Sequence, residues 1–442
     1  MMRSLYSGVA GLKTHQTKMD VIGNNIANVN TTAFKSQSVT FSDLMYQTTQ
    51  KASGANANTG RAGINARQIG LGVKTGAIST AIEGQGSAQT TNNPFDIMIT
   101  GSAFFVVSDG SNNYFTRDGS FYVDGKGNLA MTSNGYTVMG WQVDKATQTI
   151  KQDTVSALQI MTEGNMTYPP EATTKALVAG IIDKGDDNFK SGGKVISLDF
   201  YDDLGYKYTA KFNITGPDAT STPGETKFKL SLTNVTGADG KDYTAGFDAI
   251  SGKDLIYDSG NGTFKSIDGS STLDLVAKTD DQYKNFKTIS MDFTETSMYN
   301  NNGTSTISMY SGDSKGLGAG RSIGEMSGVT IQTDGMIYAS YDNGMTRLLG
   351  QIAVAEFSNA SGLEKAGDNL YSATLNSGAF DGIGVDITAN SGYMTTGVLE
   401  MSNVDLSQEF TEMITTQRGF QANSRIITVS DTMLEELTNL KR

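Results

Sequence analysis

Asn24, Asn25, Asn28 and Asn30 put four carboxamides into seven consecutive positions, inside the stretch NNIANVNTTAFK at residues 24–35. A carboxamide offers two donors and an acceptor, which complements a peptide group, but it neither titrates near neutral pH nor attacks a substrate. The chemistry on offer is recognition of main chain. Such groups satisfy the orphaned carbonyls at a helix end, tolerate the left-handed turn that follows, and fix the register of a neighbour. A plain C-capping cluster accounts for the same residues, and residue type alone leaves both readings open. The catalytic repertoire is thin elsewhere. With no Cys there is no thiolate nucleophile, thiolate metal site or disulfide framework, and a single histidine, His15, leaves no basis for multi-histidine metal sites or histidine catalysis.

The remaining spacings resolve to turns. DGKGN from Asp124 and DKGDDN from Asp183 lack the alternating ligands and the glutamate at the twelfth place of a calcium loop. The first reads as a hairpin turn and the second as a solvated loop. Gly316, Gly318 and Gly320 lack dinucleotide-binding spacing and no helical pattern follows them, so they read as a hinge between domains. No feature brings two carboxylates together as a glycosidase pair. His15, between Thr14 and Gln16, reads as a surface or packing residue.

These residues need elements to hold them. Leu5, Val9, Leu12, Gln16 and Met19 follow helical spacing, and Ile22, Ile26 and Val29 continue it after a slipped step. At the other end Leu406, Phe410, Met413, Gln417, Phe420, Ser424 and Ile427 repeat the pattern, and Asp405 or Ser402 is placed to cap the start. No proline precedes Pro94 or follows Pro223, so both ends are free to form long helices. Everything between reads as β structure, with apolar strands at 95–107 and 348–357 and turns at Asp124-Gly125, Asp334-Gly335 and Asn343-Gly344.

The predicted layout is nested: helix at 1–31, extended connector at 32–86, the first half of an inner β domain at 87–147, an inserted outer β domain at 148–320, the second half of the inner domain at 321–396, and a helix at 397–442. The insertion carries about −7 of the net charge of −12. The fold class expected is mixed, mainly β, with barrel- or sandwich-like nested domains and terminal helices pairing as a coiled coil. Ile426, Val429 and Leu440 lie off the main stripe of the last helix and call for a second partner, which copies of the same chain would supply.

The acidic balance argues against nucleic acid or an anionic membrane as partner, and no run of 18 apolar residues occurs. The first twenty residues are interrupted by Lys13, His15, Lys18 and Asp20 and do not read as a cleavable signal peptide. Poverty in charge and richness in Gly, Asn, Ser and Thr nevertheless suit an extracellular chain, exported by a dedicated route.

Residues 4–35 closely resemble the N-terminal signature of the flagellar rod and hook axial proteins, and residues 397–440 resemble their C-terminal signature. FTRDGSFYVDGKGNLAMTSNGYTVMGW at 115–141 resembles the family's first β domain, and SYDNG with LGQIAVAEF its return. The resemblance implies no enzyme and no cofactor. It implies export through the flagellar type III apparatus and polymerisation into a helical tube, with the terminal helices inside and the β domains outside. Leu5, Leu12, Met19, Ile22 and Ile26 would then pack an inner coiled coil with Phe410, Met413, Phe420 and Ile427. Asn24, Asn25, Asn28, Asn30, Thr31 and Phe34 would form the turn into the connector. Ala33 stands where the family usually has Gly, and the absence of Cys excludes the cysteine cross-link of some hook proteins. The large insertion favours hook over distal rod. That choice implies a flexible joint passing motor torque to the filament, with rod proteins, hook-filament junction proteins and a hook cap as neighbours. The rivals are a distal rod protein and a secreted adhesin or hydrolase acting through the central domain.

Overall fold

The structure, a computed structural model, describes residues 2–54, 62–144, 147–218, 223–278, 280 and 283–440. The chain divides into two compact units. The first comprises Met1–Thr162, Val329–Tyr338 and Arg347–Arg442, and the second Glu163–Gly328 and Ala339–Thr346.

In the first unit both ends are helical, α1 at Met2–Ala27 and α2 at Leu406–Asn439. Asp405 caps α2, its carboxylate accepting the Ser407 and Gln408 amides at 2.8 and 3.3 Å. The helices run antiparallel, since Ser4 meets Ser430, His15 faces Gly419, Lys18 pairs with Glu412 at 3.2 Å, and Asn25 reaches Glu409. The buried positions of α1 are Gly8, Gly11, Thr14, Ile22 and Asn25. Small residues at this seam let the backbones approach, and Thr14 hides its hydroxyl against the Ala10 and Gly11 carbonyls.

Residues 32–86, expected to be an extended connector, contain two antiparallel ladders. Gln37–Asp43 pairs with Val73–Thr80, and Tyr46–Gln50 with Arg67–Gly70. Residues 55–61 of that stretch lie outside the described residues. Most of the ribbon's side chains are exposed on both faces, so its strands carry no hydrophobic alternation to read.

Beyond the ribbon, strands from the two ends of the chain pair with each other: Ala88–Thr90 with Val398–Glu400, and Ile97–Thr100 with Tyr393–Thr396. The central strand Phe104–Ser108 is buried throughout and is hydrogen-bonded to Asn113–Thr116 and Thr137–Gln142. Phe104, Val106, Phe115 and Tyr371 gather in one cluster of its core. Trp141 is buried because its indole N–H donates to the Asp153 and Ile383 carbonyls, at 3.0 and 2.9 Å. The Asp124 turn is the hairpin expected, its carboxylate accepting the amides of Lys126 and Asn128.

The second unit is a sandwich. A five-stranded antiparallel sheet runs in chain order from Lys194–Tyr201 to Phe264–Ile267. The opposing sheet has four strands, with Lys175–Ile182 parallel to Ile289–Met298 at its centre. Alternate residues of both, among them Val178, Leu198, Phe212, Phe228, Met291 and Phe293, fill one core. The 183–188 stretch is a loop solvated at Lys184, Gly185, Asp187 and Asn188, but its other two carboxylates turn inward. Asp183 is buried and accepts the amides of Gly185, Asn301 and Gly303 at 2.7–2.9 Å. Desolvation pushes Asp186 upward, but amide hydrogen bonds from Asn188 and Ser305 outweigh it and hold its carboxyl at about 2. Sequence reading missed this because an anchoring carboxylate and a solvated one look alike without the amides that meet them. The Gly316–Gly320 run is likewise a turn within this unit. Asp313 accepts the amides of Lys315 and Leu317, and the Gly318 carbonyl accepts those of Thr174 and Lys175.

Candidate assembly site

The asparagine cluster divides its labour. Asn28 donates its carboxamide to the Asn24 carbonyl at 2.9 Å and accepts from the Thr31 hydroxyl, closing the end of α1. Asn25 is fully buried and does something different. Its Nδ2 donates to the Gln37 carbonyl at 2.8 Å and its Oδ1 accepts the Gln37 amide at 3.0 Å, while Nδ2 also reaches Glu409 of α2 at 2.9 Å. One side chain thus joins the N-terminal helix, the ribbon and the C-terminal helix, as a strand neighbour would. Burial, the larger cause, pushes the Glu409 carboxyl above the usual range despite the hydrogen bond from Asn25. Asn24 and Asn30 are exposed, and Thr31 is half-buried.

Phe34 is buried beneath Lys365, whose ammonium lies 4.8 Å from the ring centroid. Ala33, also buried, has φ of 54°, and its amide donates to the Glu400 carbonyl at 2.8 Å. Glycine adopts this left-handed geometry with less strain than alanine.

Along the helix pair, Ile22 is buried and Leu5, Leu12, Met19 and Ile26 are half-buried. On α2, Met413, Phe420 and Ile427 are half-buried, while Phe410 is 50% exposed. Ile427 meets α1 at Gly8. The outward side of α2 keeps Ile414, Val429, Met433 and Leu437 exposed, and Ile426 is exposed at the rim beside Gly8. Only Thr416 and Ser430 of its described residues are buried, so one partner helix leaves much apolar surface wet.

His15 packs edge-on to Phe41 with ring centroids 5.5 Å apart, and it abuts Gly419 so closely that a Cβ there would lie 2.7 Å from the imidazole. Burial first and the Lys18 charge second hold its pKa below the ordinary value of 6.5. The folded helix pair therefore binds a proton less readily than the unfolded chain. Its stability is whole above about 6.5 and falls as pH drops through that value toward the lower folded pKa. Because the chain has one histidine, a single imidazole C2-proton resonance reports the titration. The expected result is a midpoint below 6.5, with helicity declining over the same interval; a midpoint above 6.5 would contradict it.

Sequence reasoning did not foresee a buried charge cluster where the two ends meet. Lys35 and Glu400 pair at 2.7 Å with side chains 1% and 0% exposed, and Arg117 lies 3.9 Å from the other Glu400 oxygen. Lys35 also donates to the Gly84 carbonyl, Gly86 donates its amide to Glu400, and Arg117 donates to the Gly101 carbonyl. Burial pulls the Lys35 ammonium below its usual range, with Glu400 opposing, and desolvation raises the nearby Tyr371 hydroxyl to about 12. Asn403 completes the node, accepting the Ser36 amide and donating to the Ala81 and Gly84 carbonyls. Among the described residues no group of three or more acidic, His or Cys side chains is arranged to hold a metal, and no helix is long and apolar enough to cross a membrane. The arrangement joins chain segments and presents apolar helix surface.

Family models agree with this distribution of features. Residues 5–35 match the flagella basal body rod protein model, residues 98–168 the flagellar hook protein FlgE/F/G D1 domain, and residues 395–440 the flagellar basal body rod FlgEFG protein C-terminal model. The flagellar hook protein FlgE of Treponema pallidum is 34% identical over the whole of both chains, as is that of Borreliella burgdorferi. The flagellar basal-body rod protein FlgG of Bacillus subtilis is 30% identical, also over the whole of both. A crystal structure of Helicobacter pylori flagellar hook protein FlgE2 aligns with a TM-score of 0.45 at 16% identity, covering 71% of this chain and 100% of that one. With full-length relatives at this level, the chain belongs to the flagellar hook protein family.

Proposed function

We propose that the chain is a structural subunit that polymerises into the helical tube of a flagellar hook, the joint passing motor torque to the filament. The observation carrying this is the antiparallel α1–α2 pair, whose outward residues Phe410, Ile414, Val429 and Leu437 are each at least 50% exposed. Copies of the same chain are the natural cover for that surface. In this reading the terminal helices form the stiff inner wall and the β units lie outside it. The ribbon at 32–86 and weak contacts between the outer domains of neighbouring copies let each subunit lengthen or shorten, because polar surfaces shear more readily than close-packed apolar ones. The chain leaves the cell through the type III apparatus and lies outside the cell. There it meets rod proteins, hook-filament junction proteins and the hook cap, with no role in nucleic-acid or membrane binding and no catalysis.

A rod protein also matches over its full length, at lower identity than the hook proteins, so a distal rod subunit is the reading to test against. Electron microscopy of the intact chain, beside a version lacking 1–27 and 406–442, separates the two. Curved tubes from the intact chain alone are expected. Straight, rigid tubes would support the rod, and seeded monomers from both would overturn polymerisation through the helices.

A further inference from the structure

We propose that Glu400 makes the docking of the two chain ends conditional on each other, so that neither end is anchored at their joint alone. The joint needs only a single chain and stands apart from the polymer reading. Three segments meet there: Ala33 to Gln37 after α1, Ala81 to Ser87 after the ribbon, and Glu400 to Asn403 before α2. Main chain stitches them, Ala33 donating to the Glu400 carbonyl and Met401 to the Ser87 carbonyl at 2.8 and 2.9 Å. They are so close that a Cβ on Gly86 would stand 1.8 Å from the Met401 carbonyl oxygen.

The charges turn this proximity into a condition. With the N-terminal segment docked and the C-terminal segment away, Lys35 would be buried with Arg117 as its ionic neighbour, two cations without an anion. With the C-terminal segment docked and the N-terminal one away, Glu400 would lose its 2.7 Å partner and keep the Gly86 amide and an arginine at 3.9 Å. An unpaired ion is the expensive state in an apolar interior, while the complete set is tolerable. Half-docked chains are therefore disfavoured relative to both the open and the closed form. Since Glu400 lies in the segment before α2, the stretch 33–37 that follows the N-terminal helix stays undocked at this joint until that late segment has arrived, although α1 already rests on the ribbon through Asn25 and His15. An incomplete chain cannot present the finished helix pair.

Hydrogen exchange read by mass spectrometry on the full-length chain tests this, comparing segments 33–37 and 398–404 in Lys35→Met, Glu400→Gln and the double variant. Strand Lys175–Ile182 of the second unit serves as a folding control. Glu400→Gln is expected to speed exchange about tenfold or more at both segments, because it leaves two buried cations. Adding Lys35→Met to it removes one of them and slows exchange again at both. Lys35→Met alone must deprotect 398–404, a segment it is not part of, which keeps the test alive should Glu400→Gln fail to fold. Deprotection confined to the mutated segment, or a double variant worse than Glu400→Gln, would overturn the proposal.

Discussion

Replacing Gly8 by leucine abolishes tube formation while both β units stay folded. An ideal Cβ on Gly8 would lie 3.2 Å from Ile427 Cγ1 and 3.4 Å from the Asn423 carbonyl oxygen. The first neighbour is a side chain that can turn aside, but the second is helix backbone. A leucine's branch extends beyond that Cβ into α2 and pushes the helices apart, an overpacking effect of about 1–3 kcal/mol in each subunit. In a tube the displacement recurs at every copy, so the outward residues of successive pairs lose register together. Gly8→Ala is the control. Its methyl needs a shift of only a few tenths of an ångström, and alanine gains about 1 kcal/mol of helix propensity. Sedimentation and electron microscopy should find tubes from Gly8→Ala and soluble chain from Gly8→Leu. Normal tubes from the leucine variant would mean that α2 does not rest on this face in the polymer.

The terminal helices were legible because a 3.6-residue period survives even where the buried face is made of glycine and threonine. Their meeting surface was legible only in part, at Ile22 and Ile427. Hydrophobic spacing pointed to Leu5, Leu12 and Met19, whereas the most buried positions of α1 include Gly8, Gly11, Thr14 and Asn25. A seam built on close backbone approach is carried by residues that hydropathy ignores. A glycine at both Gly8 and Gly11, facing a helix with Gly419, is the signal that would have found it. The ribbon between Gln37 and Thr80 escaped for a related reason. A two-sided exposed ladder is held by main-chain pairing and has no buried face to imprint alternation on its sequence.

Of the four carboxamides Asn25 and Asn28 bind main chain while that of Asn24 meets the Asn28 side chain, and spacing could not say which of the four was buried or that Gln37 was its target. Lys35, Arg117 and Glu400 were invisible as a group, since they lie in three separate segments and each alone looks like an ordinary surface charge. What they share is apolar company: Lys35 follows Ala33 and Phe34, and Glu400 follows Val398 and Leu399. A charged residue at the end of such a run is either solvated or paired, and only the fold decides which.

Asn25→Asp changes two atoms' chemistry and almost no volume, and it should destabilise the helix-ribbon junction by about 2–4 kcal/mol at neutral pH. In the parent, Nδ2 donates both to the Gln37 carbonyl and to Glu409. An ionised carboxylate donates to neither, so oxygen faces oxygen on both sides, one of them the carboxyl of Glu409. The introduced group escapes by holding its proton, and its folded pKa rises above the unfolded value of about 3.9. The deficit relative to the parent is therefore least below about pH 4, where the group is protonated in both states. It grows as pH rises toward the folded pKa and is constant above it. Urea unfolding followed by helical circular dichroism, parent against variant at pH 4 and pH 7.5, reads this directly. The comparison at equal pH cancels the His15 titration common to both chains. Asn25→Leu cannot itself titrate, so any pH dependence of its deficit reports only Glu409 losing the Asn25 hydrogen bond, and it serves as the baseline. If Asn25→Asp changed between the two pH values no more than Asn25→Leu does, no proton would be taken up at the introduced carboxylate and the account of its contact with Gln37 would fail.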